Sequence, residues 1–95
     1  MPAICRGNSV DQDLSHCVIP YRSGCSSDVF VNGTGISRQG DLNTSHVLPP
    51  FCIIPHAVAI SVGSTLTFIN AKGCGRIGDA TCTAVSSGSP DTFAG

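Results

Sequence analysis

Phe30-Val31-Asn32-Gly33-Thr34-Gly35-Ile36-Ser37-Arg38-Gln39-Gly40-Asp41 recurs as Phe68-Ile69-Asn70-Ala71-Lys72-Gly73-Cys74-Gly75-Arg76-Ile77-Gly78-Asp79. Each copy runs aromatic, β-branched, Asn, a two-residue turn and small residues, and ends in Arg-x-Gly-Asp. Asn32-Gly33 is a hairpin signal because both residues tolerate positive φ. Asn70-Ala71-Lys72-Gly73 is a looser form of it. A short chain that repeats such a unit reads as an assembly of small β units.

The chain ends supply a third, split copy. Gly88-Ser89-Pro90-Asp91-Thr92-Phe93-Ala94-Gly95 resembles Gly63-Ser64-Thr65-Leu66-Thr67-Phe68-Ile69-Asn70, and Pro2-Ala3-Ile4-Cys5-Arg6-Gly7-Asn8 echoes the Arg-x-Gly-Asp ending with one residue deleted. We therefore expect one all-β domain over residues 1–95. Its repeats lie around 28–46 and 63–82, with a third divided between 88–95 and 2–16. Meeting of the two ends would close the units and protect strand edges.

Helical periodicity is absent. Residues 18–22, 28–32, 51–62 and 65–70 are rich in Val, Ile, Phe and Thr and are bounded by Gly, Ser, Asn and Pro, which predicts short strands. With 95 residues, 11 glycines, 6 prolines and no Trp, the core must be small, and small domains often add a metal or disulfides. A formal net charge of −1 and only 12 % charged residues speak against nucleic-acid binding. The N-terminus has no basic stretch followed by a long apolar run, so it does not read as a secretory signal. The apolar stretch Val47–Val62 is interrupted by Pro49, Pro50, Pro55 and His56 and does not read as a membrane helix. Synthesis in a reducing cytosol is the expectation. It disfavours a disulfide framework and predicts that most of the six cysteines, including Cys5, Cys25 and Cys74, are small buried hydrophobes.

The three histidines are His16, His46 and His56. His46 follows Gly40-Asp41, His16 follows Gly7-Asn8, Cys82 follows Gly78-Asp79, and His56 precedes the second unit. Three imidazoles and a thiolate suit tetrahedral zinc. On spacing alone three unrelated polar histidines are the favoured reading, because no local CxxC or HxxxH pair is present. Ser9, Asp13 and Ser15 lie near His16, but no nucleophile elbow accompanies them, and the chain reads as a non-enzyme. Asp41 and Asp79 read as turn residues, Arg6, Arg38 and Arg76 as their partners or as partners of carbonyls. Phe30, Phe68 and Phe93 read as core or base-lining residues.

The whole pattern resembles the PAAR-repeat family, whose repeats carry Pro-Ala-Ala-Arg within Asn-Gly-x-Pro-Ala-Ala-Arg-x-Gly-Asp. The tetrads here are Gly35-Ile36-Ser37-Arg38, Gly73-Cys74-Gly75-Arg76 and Ala3-Ile4-Cys5-Arg6; each keeps the Arg and lacks the Pro. The resemblance implies a small pseudo-threefold cone. It implies one structural zinc ion held by His16, His46, His56 and Cys82, with Cys17 and Cys52 as competing ligands or else buried apolar thiols. It further implies a tip protein that caps a trimeric β-helical spike, one copy per trimer, in a contractile phage tail or a type VI secretion system. Such a protein is made in the bacterial cytoplasm, assembled at the end of a phage tail or secretion spike and delivered out of the cell, touching a target membrane transiently and binding no nucleic acid. The alternatives are a stand-alone zinc-binding interaction module and a disulfide-rich extracellular domain.

Overall fold

Two tight hairpins form where the repeated segment predicts them. In the computed structural model, which describes residues 1–15, 17–47 and 52–95, strand β1 (Phe30–Val31) pairs antiparallel with β2 (Thr34–Gly35), Phe30 opposite Gly35. The turn residues Asn32 and Gly33 have φ of 52° and 76°, the left-handed pair that a two-residue hairpin needs. Strands β5 (Phe68–Ile69) and β6 (Lys72–Gly73) pair in the same register, Phe68 opposite Gly73. Here Asn70 and Ala71 take φ of 52° and 65°. A third hairpin joins β3 (His46–Val47) to β4 (Pro55–His56). No helix occurs among the described residues.

The three tetrads meet in a closed cycle of main-chain hydrogen bonds. The Cys5 amide donates to the Gly75 carbonyl at 3.0 Å, Gly75 to Ser37 at 2.9 Å, and Ser37 back to Cys5 at 3.1 Å. The residues before and after join the same three segments in pairs. Ile4 bridges Arg76, Ile36 bridges Arg6, and Cys74 bridges Arg38. Gly7 donates to Gly35, Gln39 to Gly73 and Ile77 to Ala3, at 2.8–3.0 Å. Each segment thus donates to both of its neighbours and accepts from both. Small residues line the cycle because the backbones nearly touch: a Cβ on Gly75 would stand 2.6 Å from the Ser37 carbonyl oxygen.

A second cycle surrounds the first. The amides of Ser26, Ser64 and Ser89 donate to the carbonyls of Ile36, Cys74 and Ile4, each at 2.8 Å. Every one of these serine hydroxyls accepts main-chain N–H groups two and three residues ahead, fixing the turn into its aromatic residue. Ser26 then donates to the Asn70 side chain, Ser89 to the Asn32 side chain, and Ser64 to the main-chain oxygen of Gly95. Asp28 and Asp91 join this layer. The side chains of Asn70 and Ser26 hold the Asp28 carboxyl below the usual aspartate range, and those of Asn32, Ser89 and Thr92 do the same for Asp91.

The arginine that ends each tetrad clasps an aspartate. Arg38 binds Asp41, Arg76 binds Asp79, and Arg6 reaches Asp11, with Nε or Nη to carboxylate distances of 2.8–2.9 Å. In all three the aspartate also accepts the arginine's own amide, at 2.7–2.8 Å. The N-terminal clasp spans five residues rather than three because Asn8, where the other copies have Asp, cannot supply the carboxylate.

The core is as small as the composition implies. Ile4, Ile36 and Cys74, the second residues of the tetrads, pack with Ala94; Cys5, Ile60 and Val85 form a second cluster. The molecule measures 37 × 23 × 22 Å, one long axis and two nearly equal short ones. Three expectations are corrected. Phe30, Phe68 and Phe93, expected as core or base-lining residues, are 58, 59 and 50 % exposed, which overturns the core half of that expectation. The strands are only two residues long, and residues 18–22 form isolated bridges rather than a strand. Within 51–62, where Phe51 lies outside the described residues, only Pro55–His56 is a strand.

Candidate metal centre

The β3–β4 hairpin sets His46 directly opposite His56. Their Nε2 atoms converge to 2.8 Å, and the rings meet edge to face with centroids 4.3 Å apart. His46 Nδ1 lies 2.8 Å from the Thr44 carbonyl. A carbonyl only accepts, so Nδ1 carries the proton and Nε2 presents its lone pair, the usual orientation of a metal-binding histidine. Cys82, on the loop that follows the Arg76–Asp79 clasp, brings Sγ to 3.3 Å from His46 Nε2. Asp79 anchors that loop by accepting the amide of Val85 through its main-chain oxygen.

The three ligand atoms all lie within 4.8 Å of one another, and His46 is buried. Among the described residues this is the group of His, Cys, Asp or Glu side chains placed to hold a metal ion. Two imidazole nitrogens and a thiol sulfur are borderline-to-soft donors, a set that suits zinc, copper or iron better than calcium or magnesium. His16 lies outside the described residues, so the ligands brought together here are His46, His56 and Cys82.

Cys17 and Cys52 do not form the buried apolar thiols expected of them. Both are exposed, and they are bonded to each other as a disulfide with Cα atoms 5.8 Å apart. That separation falls within the range a disulfide spans. The bond links two loops of a fold with little core, the circumstance in which a cross-link stabilises most. A disulfide sulfur is not a thiolate, so neither residue competes for a metal in this state. Cys5, Cys25, Cys74 and Cys82 are free. Of the expected buried thiols, Cys5 and Cys74 are buried, whereas Cys25 is half-buried. Desolvation pushes the Cys5 thiol up to about 12 and the Cys74 thiol up to about 11, keeping both protonated.

Beside the ligands lies a buried charged network that the sequence did not announce. Asp13 and Arg22 pair at 2.9 Å with both side chains fully enclosed. Arg22 also reaches the Ser37 hydroxyl and the Asp41 carbonyl, so it ties the tetrad cycle to the metal side. Asp13 is therefore committed to an ion pair, while Ser9 and Ser15 are exposed. The one available hint was that Arg22 is the only arginine outside the tetrads. Compared with known protein families and with curated proteins, the chain matches none.

Proposed function

We propose that this chain is the tip of a membrane-puncturing spike, a PAAR-like cone that caps a trimeric β-helix, one copy per three spike chains. The observation that carries this reading is the cyclic order of the hydrogen bonds, in which three non-identical segments occupy equivalent places. A single chain with threefold-like geometry can meet three identical subunits in one docking arrangement. Phe30, Phe68 and Phe93 hold corresponding positions, opposite Gly35, Gly73 and Ala3, and each is at least half exposed. Three aromatic residues set at equivalent points suit an interface, where aromatic side chains are enriched relative to the rest of a protein surface.

In this reading the metal centre is structural. His46, His56 and Cys82 would hold a zinc ion, with His16 as the fourth ligand carried by the family resemblance. The ion's contribution is to cross-link segments that a small core holds weakly. A closed four-ligand site leaves no position for a substrate. One disulfide beside four free cysteines does not make a disulfide framework, which counts against the disulfide-rich alternative.

Native mass spectrometry of the chain mixed with a trimeric β-helical spike protein encoded beside it tests the proposal. One copy per three spike chains is the expected stoichiometry, lost when Phe30 and Phe68 are both replaced by Glu. A ratio of one to one, or binding indifferent to those replacements, would defeat it. Zinc content without spike binding would favour a stand-alone zinc module instead.

A further inference from the structure

Asn43 is 2 % exposed and uses every polar atom of its side chain. Its Oδ1 accepts the Val58 amide at 2.8 Å, while Nδ2 donates to Asp13 Oδ2 at 2.9 Å and to Cys82 Sγ at 3.7 Å. The amide cannot be turned over. The exchange would set Oδ1 against the Asp13 carboxylate and the NH2 group against the Val58 N–H, two repulsive contacts in place of two hydrogen bonds. Asp13 accepts from Arg22 as well as from Asn43, so the ion pair fixes the carboxylate that holds the Asn43 NH2 group, and that group in turn donates to Cys82. The Asn43 backbone amide also donates to the Val58 carbonyl at 3.0 Å, making a double attachment to the segment that follows β4, two residues after His56. The next residue, Thr44, supplies the carbonyl that orients His46.

We infer that Asn43 is the positioning residue of the metal centre: its amide N–H donates to the Cys82 sulfur and fixes that ligand relative to His46 and His56. This rests on the metal-binding reading above. Residues 43 and 44 touch, or hold the support of, all three ligands, although neither is a ligand. A hydrogen bond into a metal-bound sulfur restricts its rotamer and withdraws electron density from it, so it should set both affinity and the electronic character of the metal–sulfur bond. Outer-sphere partners of this kind typically alter metal affinity by about 10–100-fold when removed.

Cobalt(II) titration, in competition with zinc, tests the inference on the full chain. We expect Asn43→Ala to weaken Co2+ binding by about 10–100-fold and to shift the sulfur-to-cobalt charge-transfer band. The shift separates positioning from a general loss of stability, which would lower occupancy without moving the band. Because Asn43→Ala strands the Val58 amide and can impair folding, the unmodified protein loaded with 113Cd provides the second measurement. Scalar coupling between 113Cd and the Asn43 side-chain amide protons, transmitted through the Cys82 sulfur, is expected. A metal-loaded protein with Cys82 bound, no such coupling and an unshifted band in the variant overturns the role of Asn43 while leaving the metal centre intact. Failure of the unmodified protein to bind Co2+, Cd2+ or Zn2+ overturns the metal reading and this inference with it.

Discussion

The amide of Cys5 and the carbonyl of Gly75, seventy residues apart in the chain, make one of the three bonds that close the tetrad cycle. Gly75 can take part only because it lacks a side chain. A Cβ there would lie 2.6 Å from the Ser37 oxygen and 2.7 Å from both Cys5 Sγ and Ile60 Cδ1. Gly75→Ala should therefore destabilise the protein by about 1–3 kcal/mol through overpacking. For a chain of this size, thermal denaturation should register about 4–8 °C per kcal/mol. An unchanged melting temperature would mean that the backbones can separate more easily than the cycle suggests.

Metal removal should be felt as a loss of stability. A ligand present at a hundred times its dissociation constant adds about 2.7 kcal/mol, so chelation should lower the melting temperature by roughly 10–20 °C. His46→Ala and Cys82→Ser should each show most of that loss and should no longer respond to chelator. Calorimetry with and without zinc provides the check, and a chelator response that survives in Cys82→Ser would remove Cys82 from the ligand set.

The Cys17–Cys52 bond closes a loop of 35 residues that contains β1, β2 and β3. Its reduction, or Cys17→Ser, should cost about 2–4 kcal/mol. Urea denaturation of oxidised and reduced protein at the same zinc concentration measures this. Equal midpoints would show that the two loops are already held by other contacts.

Alkaline pH should weaken the fold. The Cys5 and Cys74 thiols rise from 9.0 to about 12 and about 11 on folding, chiefly through desolvation. The unfolded thiols ionise near 9 and release protons that the native state retains, so this contribution is complete below pH 9 and declines as pH climbs towards 11 and 12. Cys5→Ala should flatten that alkaline limb relative to the unmodified protein. Iodoacetamide at pH 8 should leave Cys5 and Cys74 unlabelled in the native state and label both in denaturant; native labelling of Cys5 would contradict its enclosure.

The hairpins were legible because their signals are local. Asn32-Gly33 and Asn70-Ala71 encode a left-handed turn within adjacent residues, and the flanking aromatic and β-branched residues pair across it. The lengths of the strands were not legible. Val, Ile and Thr in 18–22 and 65–70 favour extended backbone, but segments wound about a common axis pass each neighbour at only one or two residues. Bridges such as Ile4–Arg76 and Arg38–Cys74 therefore replace long ladders. For the metal centre, the repeat placed His46 and Cys82 at comparable points, yet no spacing rule brings His56 opposite His46; that comes from the β3–β4 register. The Cys17–Cys52 bond and the Asp13–Arg22–Asn43 network depend on distances between remote segments, and composition carries no such information.

The tetrad cycle has a consequence for how the chain acquires its structure. Ala3 bridges Phe93, Ile4 receives the Ser89 amide, and the Ala94 amide reaches Pro2. The segment at residues 2–8 thus gains one of its two neighbours only from residues more than eighty positions later in the sequence. Contacts between the most distant parts of a sequence carry the largest loop-closure entropy and slow folding. The hairpins at 30–35 and 68–73 join near neighbours in sequence, whereas closing the circle joins the two most distant parts of the domain, so the closing contacts carry most of that entropic cost.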